Sequence, residues 1–280
     1  MLQVGVLMNK RILVTGGGSG LGLAMADRFA ELGAHVLLCG RRHDVLEEAR
    51  AGIAARHGTP VQAMACDVRD AGAVQALFDE AGRDGPIDVL VNNAAATFIA
   101  QTHRLSARAA DAVLAPTLHG ALYCTLEAGR RWIDCGRSGV VLSILSTSTR
   151  TGRAFTVPSA MAKSALLAMT RSLAVEWGPY GIRSVAIAPG PFPTAGATSA
   201  LDPTAGRGFS AARMANPLRR NGRPPELAEL AAFLVSDSAA YINGEMVAID
   251  GGQHLRTSGA EDLLAWGPDD WDRLASRRTG

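Results

Sequence analysis

The stretch Thr15-Gly16-Gly17-Gly18-Ser19-Gly20-Leu21-Gly22 stands between a short apolar run, Arg11–Thr15, and an amphipathic stretch, Leu21–Leu32. Glycines allow a tight turn and a close approach of the backbone to a pyrophosphate, and the N-terminus of a helix favours an anion. Because the stretch joins a predicted strand to a predicted helix, it predicts a dinucleotide site rather than a flexible loop. The residues expected at this site are Gly16, Gly18, Ser19, Gly20, Leu21 and Gly22.

Apolar runs alternate with helix-length amphipathic stretches along the rest of the chain, which predicts right-handed βαβ crossovers. The predicted fold class is α/β: a single doubly wound parallel-sheet (Rossmann) domain with a substrate-loop insertion. The domain is expected to span residues 1–280, with a core at 10–252, a lid at about 191–225 and a tail at 255–280. The predicted strands are Arg11–Thr15, His35–Cys39, Val61–Ala65, Val89–Asn92, Val140–Leu145, Arg183–Ala188 and Met246–Ile249, and the predicted helices include Leu21–Leu32, Ala71–Ala81, Lys163–Trp177 and Pro268–Ala275.

The composition argues against several classes of protein. Of the 280 residues, 48% are hydrophobic and 19% are charged, which is enough for a sizeable core and excludes a disordered chain. A net charge of +2 argues against a dedicated nucleic-acid binder. We find no signal-peptide pattern and no apolar run of about 18 residues, so we expect a cytoplasmic protein with no membrane partner. The four cysteines lack metal-ligand spacing, so no metal site is expected.

The end of the second predicted strand distinguishes between NAD and NADP. An acidic residue at that position would bind the ribose 2′-hydroxyl and repel a 2′-phosphate. This chain instead has Gly40, followed by Arg41 and Arg42, and guanidinium groups bind phosphate through charge-assisted hydrogen bonds. The sequence therefore predicts NADP (NADPH) as the cofactor. The alternative is that the two arginines only begin a solvated helix.

Two further segments are expected to line the cofactor site. Cys66-Asp67-Val68 follows the third predicted strand and places the Asp67 carboxylate near the adenine amino group. Asn93 and Ala94 follow the fourth predicted strand and are expected to form the floor of the site.

The segments TGGGSGLG, CDV, NNAA, Lys163, Pro189-Gly190 and IDGG resemble, in order and spacing, those of the short-chain dehydrogenase/reductase family over about residues 10–252. The resemblance implies that Lys163 holds the nicotinamide ribose. It places Pro189, Gly190 and Thr194 beside the nicotinamide, although Thr194 is also a candidate helix N-cap. It further implies a homotetramer that packs through helices around 105–132 and 158–177.

The family's catalytic tyrosine is absent from this sequence. In that family a tyrosine four residues before the lysine protonates a carbonyl oxygen, and a serine thirteen residues before the tyrosine orients the carbonyl. Here Ser159 stands at the tyrosine position and Ser146 at the serine position. A serine hydroxyl is a far poorer proton donor than a phenol with a pKa of about 10. Standard ketone reduction therefore lacks its general acid.

The stretch from Val157 to Gly206, which includes VPSAMAK and LDPTAG, resembles the 2,4-dienoyl-CoA reductases, a branch with the same replacement. This resemblance implies NADPH-dependent reduction of a conjugated thioester, in which hydrogen bonds to the thioester oxygen stabilise a dienolate. The chain departs from that branch because His119 and Ser148 stand where an Asn and a Tyr hold the oxygen. His119 is either a replacement donor or a helix residue packed beside the cofactor, and Ser148 is either a weak donor or a loop residue. Tyr123, on the same helix face as His119, is either a core aromatic residue or a substitute phenol.

The predicted lid is strongly basic. It has five arginines and no acidic residue between Pro203 and Pro225: Arg207, Arg213, Arg219, Arg220 and Arg223. Fixed cations near a pocket entrance attract the phosphate groups of an acyl-CoA, and Arg213 and Arg220 are the residues expected to bind them. The alternative is a solvated face balanced by Asp202, Glu226 and Glu229.

The sequence therefore favours an NADPH-dependent reductase of an unsaturated acyl-CoA. The candidate catalytic residues are Lys163, Ser159, His119, Ser146 and Ser148. Two alternatives remain open: a carbonyl reductase or alcohol dehydrogenase with its acid relocated to His119, and a nucleotide-binding homologue that has lost catalysis.

Overall fold

The computed structural model describes residues 2–194, 196, 200–201, 216–256 and 259–276. Within these residues, seven parallel strands form one sheet in the order β3-β2-β1-β4-β5-β6-β7. The strands are β1 Arg11–Thr15, β2 His35–Gly40, β3 Val61–Ala65, β4 Val89–Asn92, β5 Gly139–Ile144, β6 Ile182–Pro189 and β7 Met246–Ile249. The strand order reverses between β1 and β4, so the ligand crevice of this open sheet is expected at their carboxyl ends. The predicted doubly wound α/β fold is confirmed.

Helices cover both faces of the sheet. The helices are α1 Gly20–Glu31, α2 His43–His57, α3 Ala71–Gly82, α4 Ala107–Leu114, α5 Gly120–Asp134, α6 Ser148–Thr151, α7 Val157–Glu176, α8 Pro224–Val235 and α9 Pro268–Ser276. Helices α1, α2 and α8 pack on one face, and α3, α5 and α7 pack on the other. A π-helical turn, Ala115–His119, joins α4 to α5. No helix in the described part of the chain is both long enough and apolar enough to cross a bilayer.

The alternation of side chains along β1 explains why its apolar run shows no polar alternation. Ile12 and Val14 join the core cluster beneath α1, α2 and α8, whereas Leu13 joins the cluster beneath α3 and α5. All three side chains are fully buried. A strand covered on both faces must be apolar at successive positions.

The hydroxyl of Thr15 connects the end of β1 to the end of β4. It donates to the carbonyl oxygen of Val91 at 3.1 Å and accepts from the backbone nitrogens of Asn93 and Ala94, each at 3.0 Å. The amide nitrogen of the Asn93 side chain donates in return to the carbonyl oxygen of Thr15 at 2.9 Å. Only 2% of Thr15 is exposed, and the bond to Val91 is buried, whereas the bonds to Asn93 and Ala94 are partly buried. They fix the start of the glycine-rich loop against the β4 loop.

The first and last glycines of that loop cannot be replaced by a larger residue without strain. A Cβ at Gly22 would lie 2.2 Å from the carbonyl oxygen of Gly16, and Gly16 itself has a φ of +66°. Backbone atoms cannot move aside as a flexible side chain can, so a larger residue at Gly22 would displace the loop.

We predict that Thr15→Val lowers the free energy of unfolding by about 1–3 kcal/mol, because it leaves the partly buried N–H groups of Asn93 and Ala94 without their acceptor. Thr15→Ser keeps the hydroxyl and serves as the matched control. Denaturant unfolding of both variants measures the difference. Equal stability of the two variants would show that the hydroxyl does not hold the loop.

Candidate functional site

Two adjoining cavities open at the carboxyl ends of the strands. The first, which we call the glycine-loop cavity, has a volume of about 420 Å³. The second, the lysine cavity, has a volume of about 670 Å³. Leu21, Asn93 and Ala95 line both of them, so the two lie side by side. Together they lie at the reversal of strand order, where this class of sheet binds its ligands.

The glycine-loop cavity brings together most of the residues predicted to bind the cofactor. These are Gly16, Gly18, Ser19, Gly20, Leu21, Arg41, Arg42, Asp67, Val68, Asn93, Ala94 and Thr194. Gly22 does not line the cavity but packs against the backbone of Gly16. The absence of side chains at Gly16, Gly18 and Gly20 leaves a cradle of backbone at the start of α1, which fits the pyrophosphate of a dinucleotide.

Charged side chains surround the end of this cavity that is formed by the loops after β2 and β3. Asp67 accepts hydrogen bonds from the guanidinium of Arg69, which holds the pKa of that carboxyl below its usual range. Arg69 also lines the cavity, although the sequence analysis did not single it out. Arg41 and Arg42 are exposed, and neither has an ion pair recorded among the described residues. Their positive charges are therefore available to a phosphate group.

The lysine cavity collects Lys163, Ser146 and Ser148 from three separate elements. Lys163 projects from α7, Ser146 follows β5, and Ser148 begins α6. Pro189 and Gly190, at the end of β6, line the same cavity, as the family pattern predicts for the nicotinamide end.

Lys163 is held in place by the end of β5. Its Nζ donates to the carbonyl oxygen of Ile144 at 2.5 Å, and only 7% of the residue is exposed. Burial lowers the pKa of the Lys163 amine from its ordinary value of 10.5 to about 8. The amine is thus fixed in the wall of the lysine cavity, and burial weakens the preference for its charged form.

The loop after β5 orients the hydroxyl of Ser146. Its Oγ accepts from the backbone nitrogen of Ser148 at 3.3 Å, and its carbonyl oxygen accepts from the hydroxyl of Thr149 at 2.9 Å. Since the Oγ already accepts one bond, its O–H remains able to donate. Ser146 can therefore donate a hydrogen bond to a group bound beside Lys163.

Ser159 and His119 do not line either cavity. Ser159 lies on α7 one turn before Lys163. His119 ends the π-helical turn, is exposed, and stacks on Tyr123 with the ring centroids 6.2 Å apart. Tyr123 packs against the core on that face. The shared helix face of His119 and Tyr123 is therefore present, but it does not point either ring into the lysine cavity.

Arg220 is neutralised by a neighbouring carboxylate. Its guanidinium makes two hydrogen bonds of 2.8 Å to Glu226, and these bonds lower the pKa of the Glu226 carboxyl to about 2. Arg223 bonds the same carboxylate. Arg220 lines a separate small cavity rather than the lysine cavity. Arg220 therefore fits the alternative prediction, in which the arginines of this segment are balanced by nearby carboxylates. Arg213 lies outside the described residues.

A group of residues at the rim of the lysine cavity was not predicted from the sequence. Arg153, His254 and Arg256 line this cavity, and His254 is hydrogen bonded to Asp250 and Arg150. The spacing of Asp250 and His254, four residues apart directly after β7, was the available signal. No cluster of metal-ligating side chains occurs within the ranges that the structure describes.

A family model described as "Enoyl-(Acyl carrier protein) reductase" matches residues 16–254. The chain belongs to the short-chain dehydrogenase/reductase family. Members of this family are oxidoreductases that use NAD(P), and this chain is an oxidoreductase of that family.

Two relatives in this family carry related names. A Bacillus subtilis protein named "Probable 2,4-dienoyl-CoA reductase", with (2E)-enoyl-CoA as its stated product, is 43% identical over 88% of this chain and 97% of the relative. A Caenorhabditis elegans protein named "Probable 2,4-dienoyl-CoA reductase 3", with (3E)-enoyl-CoA as its stated product, is 39% identical over 100% of this chain and 94% of the relative. The chain therefore resembles proteins with that name.

Solved structures agree with this assignment of the fold. A short-chain dehydrogenase from Bacillus anthracis superposes with a TM-score of 0.81, at 39% identity over 89% of this chain and 98% of that chain. A dehydrogenase from Agrobacterium tumefaciens, solved with bound NADP, also gives a TM-score of 0.81, at 33% identity over the same shares of the two chains.

The pKa of Lys163 predicts a pH dependence of stability. Between about pH 8 and pH 10.5 the unfolded chain holds a proton that the folded chain has released, so stability rises with pH across this window. We predict that this rise, up to about 3 kcal/mol, is lost in Lys163→Met. Lys10→Met, which removes a surface amine paired with Asp237, is the control. If the free energy of unfolding rises equally with pH in wild type and in Lys163→Met across this range, the prediction is wrong.

Proposed function

We propose that this oxidoreductase is an NADPH-dependent reductase of an unsaturated acyl-CoA thioester, similar in activity to 2,4-dienoyl-CoA reductases. The observation that carries the proposal is the position of the tyrosines. The chain has three, and the structure describes all of them: Tyr123 stacks on His119, while Tyr180 and Tyr241 are exposed. None of the three lines either cavity. The chain therefore offers no phenol to protonate a ketone oxygen beside Lys163.

The residues of the glycine-loop cavity fit NADPH. The backbone cradle at Gly16–Gly20 suits a pyrophosphate, and the exposed guanidiniums of Arg41 and Arg42 suit a 2′-phosphate. Gly40 precedes these arginines, so no carboxylate at that position repels the phosphate. The NADP bound to the Agrobacterium tumefaciens relative also supports this choice of cofactor.

The remaining residues provide binding and electrostatic stabilisation. NADPH, when bound, supplies the hydride. Lys163 would donate a hydrogen bond to the ribose from the wall of the lysine cavity, and the carbonyl oxygen of Ile144 fixes the direction of the amine. We propose that Ser146 and Ser148 donate hydrogen bonds to the thioester oxygen. Such donors stabilise the negative charge that develops on this oxygen when the far end of the diene is reduced.

A dienolate does not need an acid at the carbonyl oxygen. Its charge is delocalised onto carbon, so reduction is completed when a carbon atom of the chain takes up a proton. We propose that water in the open lysine cavity supplies this proton. The carbon that receives it determines the position of the remaining double bond, which is where the stated products of the two relatives differ.

We further propose that the protein is a cytoplasmic homotetramer packed through α5 and α7. Leu126 on α5 and Met161 and Val175 on α7 are exposed apolar side chains, which supports burial of these helices between subunits. Sedimentation velocity measures the number of subunits directly.

An absorbance assay of NADPH oxidation tests the proposed activity. We expect turnover of 2,4-hexadienoyl-CoA and none of a panel of ketones. Lys163→Ala should reduce the rate about a hundredfold, because a buried charge-assisted bond to the ribose is lost. Arg83→Ala, at an exposed residue beyond the end of α3, should leave the rate unchanged. Turnover of ketones alone would favour a carbonyl reductase, and tight NADPH binding without any turnover would favour a catalytically impaired homologue.

Replacing Arg41 and Arg42 by alanine tests the choice of cofactor. We expect the KM for NADPH to rise about 10- to 100-fold, because charge-assisted bonds to the 2′-phosphate contribute about 1.5–3 kcal/mol. NADH lacks this phosphate, so its KM should not change. Equal effects on the two cofactors would show that the arginines do not recognise the phosphate.

A further inference from the structure

A hydrogen-bonded chain of three side chains runs from the end of β7 to the rim of the lysine cavity. The carboxylate of Asp250 lies 2.7 Å from Nδ1 of His254, and Nε2 of His254 lies 3.1 Å from Nη1 of Arg150. The side chains of Asp250 and His254 are only 3% and 10% exposed. Arg150 is exposed on α6, next to Thr151 and Gly152, which line the cavity.

The chemistry of the chain fixes the direction of its bonds. A guanidinium can only donate hydrogen bonds, so Nε2 of His254 must accept from Arg150. The proton of the imidazole is then on Nδ1, from which it is donated to Asp250. The backbone nitrogens of His254 and Gly252 also donate to the Asp250 carboxylate, at 2.7 and 3.0 Å. Asp250 therefore holds the imidazole of His254 in a fixed orientation, with Nε2 as a neutral hydrogen-bond acceptor toward Arg150.

Because the partner of Arg150 is a neutral imidazole and not a carboxylate, the positive charge of Arg150 is not neutralised and is available to an anionic ligand. Arg220 is bound by both oxygens of the Glu226 carboxylate, which neutralises its charge. Arg150 instead uses one of its five N–H donors on His254 and keeps the others for a ligand. No ion pair is recorded for Arg150 or for Arg153 among residues 2–194, 196, 200–201, 216–256 and 259–276.

The lining of the lysine cavity is mostly neutral, and its charged side chains are all positive in the described part. It includes Arg153, Lys163 and Arg256, and no aspartate or glutamate among the residues that the structure describes. Lys163 lies at the inner end, beside the predicted nicotinamide position. Arg153, together with Arg150 on the adjacent helix, lies at the rim. This distribution suits a ligand whose reacting end is uncharged and whose distal end carries phosphate groups.

We propose that Arg150 and Arg153 bind the phosphate groups of the coenzyme A part of the substrate, with His254 and Asp250 as the positioning residues for Arg150. The inference rests on the proposed function. It assigns the phosphate groups to α6 and the residues that follow it, and not to Arg220. Arginine is suited to this role because its planar fork binds phosphate oxygens in pairs.

Comparison of two thioesters of the same dienoyl group tests this site. 2,4-Hexadienoyl-CoA carries the phosphates, whereas the N-acetylcysteamine thioester of the same acid has none. In the double variant Arg150→Ala/Arg153→Ala we expect the KM for the CoA thioester to rise at least tenfold, with kcat unchanged. The KM for the N-acetylcysteamine thioester should not change. Equal effects on the two thioesters, or no effect on either, would overturn the proposal.

Variants of His254 test the positioning role. We expect His254→Ala to raise the KM for the CoA thioester, to a smaller extent than the double variant, without lowering kcat. His254→Gln retains a neutral acceptor for Arg150 and should restore much of the affinity. A fall in kcat for both thioesters would instead show that His254 acts on the reacting atoms.

Direct binding separates this proposal from the proposed activity. Calorimetry with free CoA, on protein saturated with NADP⁺ so that the glycine-loop cavity is filled, measures the phosphate site without any turnover. We expect affinity to fall at least tenfold in the double variant and with rising salt, while Arg83→Ala binds CoA as the wild type does. If wild type reduces neither thioester but CoA binding still depends on Arg150 and Arg153, the activity is wrong and the site stands. If the dienoyl thioesters are reduced but CoA binding is unaffected, the site is wrong and the activity stands.

Discussion

The hydroxyl of Thr15 is the contact on which both cavities depend. It connects the glycine-rich loop at the end of β1 to the backbone of Asn93 and Ala94 at the end of β4. Because Asn93 lines both cavities, this contact determines where the predicted pyrophosphate and nicotinamide positions lie relative to each other. Any sheet of this topology has a crevice where the strand order reverses. The hydroxyl of Thr15 fixes the two loops that border this crevice and so defines its shape.

The chemistry of the second cavity follows from the side chains that surround Lys163. Lys163 and Ser146 both line this cavity, Ser159 stands at the position of the family's tyrosine, and no tyrosine of the chain lines either cavity. A site with donors for an oxyanion and no strong acid suits a substrate whose negative charge can be delocalised onto carbon. The cationic rim adds a second requirement, since it suits a substrate with a distant anionic group.

The fold was largely predictable because buried parallel strands are continuous apolar runs. All seven predicted strands are present, with bounds that differ by at most one residue. Helix α7 begins at Val157, six residues before the predicted start, because Pro158 fits the first turn of a helix. The bond between Arg150 and His254 was not predictable, since the two residues are 104 positions apart and meet only because β5 and β7 flank β6. The exposure of His119 was not predictable, because the resemblance places this residue only by its position in the sequence, whereas in the fold it ends a π-helical turn and stacks on Tyr123.

We propose that this chain reduces a conjugated carbon–carbon bond and leaves the carbonyl intact. Reduction of 2,4-hexadienoyl-CoA by unlabelled NADPH in D₂O, with the product examined by NMR, tests it most directly. We expect one solvent deuterium bound to a carbon of the acyl chain and an unchanged thioester carbonyl. A product with a reduced carbonyl and no solvent deuterium on carbon would contradict it.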